Sequence, residues 1–100
     1  DTSDINLKEN ISEISSSYEK VKQLNPVTFN WKEEEEKGTD EQIRFIAQEV
    51  EKVYPQLVEG EEGNKSVNVV GLVSVLTKAV QELSEKVESQ QKEIEELKSK

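Results

Sequence analysis

From Val73 onward, apolar side chains recur at alternating steps of three and four: Val73, Leu76, Val80, Leu83 and Val87, continued by Gln90, Ile94 and Leu97. That rhythm is a heptad seam, with Val73, Val80, Val87 and Ile94 at a and Leu76, Leu83, Gln90 and Leu97 at d. Most other positions are polar, chiefly Glu, Lys, Gln and Ser, and only Gln90 interrupts the stripe. No Pro or Gly follows Gly71, so the spacing predicts one helix from about there to the end, about 28 residues and ~42 Å long, with the unit 71–100 as the coiled-coil part. A stripe this narrow has nothing to cover it in an isolated helix, and association through the seam is expected. Val at a with Leu at d favours two strands, while a polar layer at Gln90 sets register without naming the number of chains.

Residues 1–70 read as shorter elements. Ile14, Tyr18, Val21 and Leu24 fit one face of a short helix, behind Ser15, Ser16 and Ser17, which can cap it, and before Asn25-Pro26, which ends it. Val27, Phe29 and Trp31 alternate with Thr28, Asn30 and Lys32, the pattern of a half-buried strand. A loop is expected from Glu33 to Asp40, then an extended stretch from Ile43 to Ile46. Ile46, Val50, Val53, Tyr54 and Leu57 fit a second helical face that Pro55 terminates. Glu59 to Lys65, with Gly60, Gly63 and Asn64, reads as another loop, and Ser66 to Val70 as a strand leading through Gly71 into the long helix. The predicted class is α+β: a small domain with few short strands and two short helices, then a long C-terminal helix, all as one folding unit.

Composition narrows the chemistry. Leu, Ile, Val and Phe account for 27 of the 100 residues, enough for a core but a thin one, so self-association is expected to assist folding. The net charge of −9 disfavours nucleic acid, whose phosphates would repel the chain. The imbalance is concentrated before the seam: 16 acids and 8 bases lie in residues 1–70. No apolar run is long enough to cross a membrane and no secretory pattern opens the chain, so neither a membrane nor a targeting step is expected. Cysteine and histidine are both absent, which removes disulfides, the usual zinc ligand sets and Ser-His or Cys-His catalysis. No metal or cofactor is expected.

Several features carry ordinary readings. Glu33-Glu34-Glu35-Glu36 lacks the spaced ligands and glycine turn of a calcium loop and reads as a solvated charge run. Phe29, Trp31 and Tyr54 read as core side chains in preference to a ligand platform. Gly60-Glu61-Glu62-Gly63 does not suit phosphate, because its carboxylates would repel the anion. Spacing alone gives Ser3 and Lys8 no distinction.

Four segments taken in order give these two residues a meaning. They are Ser3-Asp4-Ile5-Asn6-Leu7-Lys8-Glu9-Asn10-Ile11; Leu24-Asn25-Pro26-Val27 to Trp31-Lys32; Phe45-Ile46-Ala47-Gln48-Glu49-Val50 with Tyr54-Pro55 to Leu57-Val58; and Gly71-Leu72 to Ala79-Val80-Gln81-Glu82-Leu83. Together they resemble the intramolecular chaperone family of endosialidase, found at the C-terminal end of phage tail spikes, tail fibres and neck appendages. A distant relative occurs in the myelin regulatory factor group of membrane-bound transcription factors. The resemblance implies a homotrimer with a parallel coiled coil that assists folding of the fibrous chain upstream and then cuts itself free. Its partners would be two further copies of itself and the upstream segment of the same polypeptide. Its place would be the host cytoplasm during assembly, with the parent protein in the virion. A cap that trimerises without cutting is the alternative.

By motif position, the resemblance makes Ser3 the nucleophile and Lys8 the general base of a serine-lysine dyad. Ser3 would attack the carbonyl of Thr2, and the resulting ester would be resolved by water. A lysine at the reference pKa of about 10.4 is neutral roughly once in 2,500 at pH 7, a deficit of ~4.6 kcal/mol. Such a base therefore needs desolvation, which closure of a trimer interface around Lys8 would provide. An oxyanion donor is also needed, and Asn10 is the candidate.

Overall fold

The computed structural model describes residues 2–100 and is built on one long helix, α4 (Val69–Lys98). It begins two residues earlier than the glycine suggests. Asn68 is the reason: its side-chain oxygen accepts the Gly71 N–H at 3.0 Å, satisfying one of the donors that a helix start leaves open. Val69 and Val70 are thereby drawn into the first helical turn, and the strand before them shrinks to β4 (Ser66–Val67). β4 pairs antiparallel with β3 (Val58–Glu59), matching Val58 to Val67 and Glu59 to Ser66.

Among the described residues, three short α-helices precede α4: α1 (Ser17–Val21), α2 (Glu34–Lys37) and α3 (Ala47–Val53). α2 is a single turn inside the stretch expected to be loop. Its Glu and Lys residues have good helical propensity, and it sits between β1 (Val27–Phe29) and β2 (Gln42–Arg44). These form an antiparallel hairpin with Val27 opposite Arg44 and Phe29 opposite Gln42.

Pro55 ends α3 as the sequence predicts, but the chain continues as a 3-10 turn over Pro55–Leu57. That turn brings Leu57 into a core with Val50, Tyr54, Leu72 and Val75. Phe29 and Trp31 depart from expectation: Tyr54 is buried, whereas these two are half-buried and stand outside the core cluster. Their rings meet edge to face at 5.0 Å. Lys37 Nζ and the Arg44 guanidinium approach Trp31 at 5.0 and 5.7 Å, a cation–π setting that suits a ring at the surface. The hairpin is two strands wide and exposes 78% of Ile43, so its aromatics find partners locally.

At Gly71, α4 passes close to the turn before β3. A Cβ there would stand 2.5 Å from Leu57 Cδ2 and 3.3 Å from the Asn68 side-chain nitrogen. Gly71→Ala should therefore lose stability by about 1–3 kcal/mol from overpacking, although alanine is intrinsically the better helix former by about 1 kcal/mol. Urea unfolding at fixed protein concentration measures this. A midpoint at or above that of the wild type would mean that Leu57 moves aside at no cost.

Candidate functional site

The residues singled out from the sequence lie on an arm, 2–16, that is exposed throughout. Within it, Asp4 accepts the Asn6 N–H on its side chain at 2.8 Å, and the Leu7 and Lys8 N–H groups donate to the Asp4 and Ile5 carbonyls at 3.1 Å. These bonds wind Ile5–Leu7 into one 3-10 turn. Ser3 and Lys8 flank that turn, so the spacing of five is folded locally rather than extended. Asn10 follows with φ +54°, left-handed backbone that asparagine tolerates better than most residues.

The arm carries apolar side chains that its own chain leaves largely uncovered: Ile5 is 70% exposed, Leu7 72% and Ile11 66%. Ser3, Lys8 and Asn10 are also exposed. The enclosure that a lysine base requires is not supplied within a single chain. The structure sets Ser3 and Lys8 around one turn, but it does not gather them with Asn10 into a pocket.

Where the arm ends, it is tied down. The Ser16 N–H donates to Glu82 Oε2 at 3.1 Å and the Tyr18 N–H to Glu82 Oε1 at 2.7 Å. Ser16 occupies the capping position expected of the serine cluster, yet its side chain makes no capping bond and its φ is +58°. The long helix supplies the acceptor instead. Ser17 next to it is fully buried, and the Lys86 ammonium lies 5.2 Å from the centre of the Tyr18 ring. Sequence reasoning placed Glu82 within a family-like segment without giving it a role. Its one available signal was a carboxylate beside a seam leucine.

The seam is uncovered. Val73, Val80 and Val87 are 57, 64 and 55% exposed, and Leu83, Ile94 and Leu97 are 43, 44 and 68% exposed. Leu76 and Gln90 are exposed as well. The face of α4 that packs on its own domain is a different one: Leu72, Val75 and Ala79 are buried, with Glu82 half-buried. Each of these lies one residue before a seam position, which rotates the packing face from the seam by about 100°. The domain thus consumes one face of α4 and leaves the heptad face free.

Among the described residues, no group of three or more Asp or Glu side chains is arranged to hold a metal ion. Among the same residues, no helix is long and apolar enough to cross a membrane.

No curated protein matches the chain. A family model, Peptidase S74, described as chaperone of endosialidase, matches residues 3–59. The matched segment opens at Ser3 and takes in the arm, the hairpin and α3, while α4 lies beyond it. Its designation is that of a serine peptidase family. With more than half of its length covered, the chain belongs to the chaperone of endosialidase family, and its role is that of a chaperone in phage fibre assembly.

Proposed function

We propose that this chaperone acts as a homotrimer and releases itself from the fibre by serine-lysine autoproteolysis, with Ser3 as nucleophile and Lys8 as base. One observation carries the reading: an exposed arm bearing both residues is anchored beside a heptad face that the chain's own domain leaves bare. Burying the seam among three α4 helices removes the apolar stripe from water, each large aliphatic side chain, 38–68% exposed in the single chain, stabilising by about half of the ~1.5 to 3 kcal/mol of full burial. The same association brings neighbouring copies to the arm, where Lys8 can lose its water.

In the reaction, Ser3 Oγ forms a bond to the Thr2 carbonyl carbon and passes its proton to the Lys8 amine. The C–N bond then breaks, the new amine takes the proton back, and an ester remains. Water attacks that ester, leaving a carboxylate on Thr2 and the free hydroxyl on Ser3. Asn10, two residues past the base, is the proposed oxyanion donor. The partners are two further copies and the upstream segment of the same polypeptide. The site of action is the host cytoplasm during assembly, and the parent protein ends in the virion.

The test uses the chain extended by about fifty residues of its natural upstream sequence. A denaturing gel should show two fragments for the wild type and one uncut band for Ser3→Ala, with both sedimenting as trimers. Identical single bands for the two proteins would instead favour a trimerisation cap that does not cut.

A further inference from the structure

From the long helix, Glu82 reaches the backbone at the root of the arm and accepts hydrogen bonds from it. Its two oxygens are used separately, one on Ser16 and one on Tyr18, at 3.1 and 2.7 Å. Charge-assisted bonds of this kind are about twice as strong as neutral ones. They fall on a place where the chain needs holding: Ser16 is a non-glycine residue with φ +58°, and Ser17 is buried with no hydrogen-bond partner for its hydroxyl. Neither feature is self-supporting, because left-handed backbone and a dry unpaired hydroxyl both raise the energy of this segment. The next residue along the helix, Leu83, belongs to the seam.

We infer that Glu82 is a positioning residue for self-cleavage, fixing the root of the arm to the seam helix so that packing of the seam sets where Ser3 and Lys8 lie. This rests on the proposed autoproteolysis. A seam layer at Leu83 fixes the rotation of α4, the rotation sets the direction of the Glu82 carboxylate one residue away, and the carboxylate holds the Ser16 and Tyr18 amides. Glu82 is not assigned a part in the proton transfer. Its effect is on geometry, to which rates are steeply sensitive: displacement by about 1 Å can cost on the order of a hundredfold.

The experiment compares the upstream-extended wild type with Ser3→Ala, Glu82→Ala and Glu82→Gln, measuring cleavage rate, sedimentation and the hydrogen exchange of the Ser16 and Tyr18 amides. Glu82→Ala should cut about 10- to 100-fold more slowly as an intact trimer, with faster exchange at both amides. Glu82→Gln keeps a carbonyl oxygen for one of the two amides and should recover most of the rate. A merely structural role would move rate and trimer content together and would show no recovery with glutamine. Wild-type rates in Glu82→Ala, or a loss in both variants that follows loss of trimer, overturn the inference. If the wild type itself stays uncut like Ser3→Ala, the failure is that of autoproteolysis, and the inference falls with it.

Discussion

Lys8→Ala in the upstream-extended protein leaves a single uncut band, and Lys8→Arg does the same. The first removes the group that takes the proton from Ser3, a role worth about 10²- to 10⁴-fold in rate. The second keeps a positive charge at the same place, but a guanidinium cannot be deprotonated in a protein and so cannot act as a base. The pair separates proton transfer from charge. Both variants should remain trimeric, because Lys8 is exposed on the arm and contributes nothing to the core of the chain. The readout is the cut fraction over time on a denaturing gel, with sedimentation confirming assembly. Cutting by Lys8→Arg at a rate near the wild type would mean that the amine supplies charge and that some other group takes the proton.

Leu83→Asp disperses the trimer and stops cleavage with it. Leu83 is 43% exposed in the single chain, so the seam layer is where that remainder is to be covered. Three copies meet there, and covering the exposed remainder of three leucines amounts to roughly 2–4 kcal/mol for the layer, before the cost of bringing three carboxylates together in an apolar setting. The neighbouring seam positions, Val80 and Val87, offer them no counter-charge. The matched control is Lys92→Asp, at a heptad position facing away from the seam, which should leave the trimer intact. Analytical ultracentrifugation distinguishes the outcomes. A Leu83→Asp protein that sediments as a trimer contradicts the seam, and one that cuts at the normal rate as a monomer contradicts the link between assembly and chemistry.

The elements with a strong period were legible from residue order. The long helix and the α3 face ended by Pro55 appear where their spacing puts them, and the strand expected from Val27 to Lys32 begins at Val27 but stops at Phe29. Misplaced ends have particular causes. Val69 and Val70 have strand-like side chains, yet the Asn68 cap commits them to helix, because satisfying an open donor outweighs a propensity difference of a few tenths of a kcal/mol. Trp31 looked like core because it alternates with polar residues, but alternation reports which face a side chain points to and not whether another layer covers that face. Ser3 and Lys8 carry no periodic signal at all. Their assignment came from the order of motifs along the chain, and the family match to residues 3–59 supports that identification of the family.

Periodicity by itself determined that α4 exists, that its heptad face is apolar except at Gln90, and that the chain is α+β with short strands, because these follow from local spacing and stereochemistry. Only the tertiary structure decided that the domain packs on the face one residue before the seam, through Leu72, Val75 and Ala79, and so leaves the heptad positions bare. It also decided that the arm is capped by Glu82, 64 residues from Tyr18, instead of by its own serines. Both depend on contacts between segments far apart in the chain, and no local pattern encodes which of two available apolar faces, or which of two available acceptors, a distant segment will take.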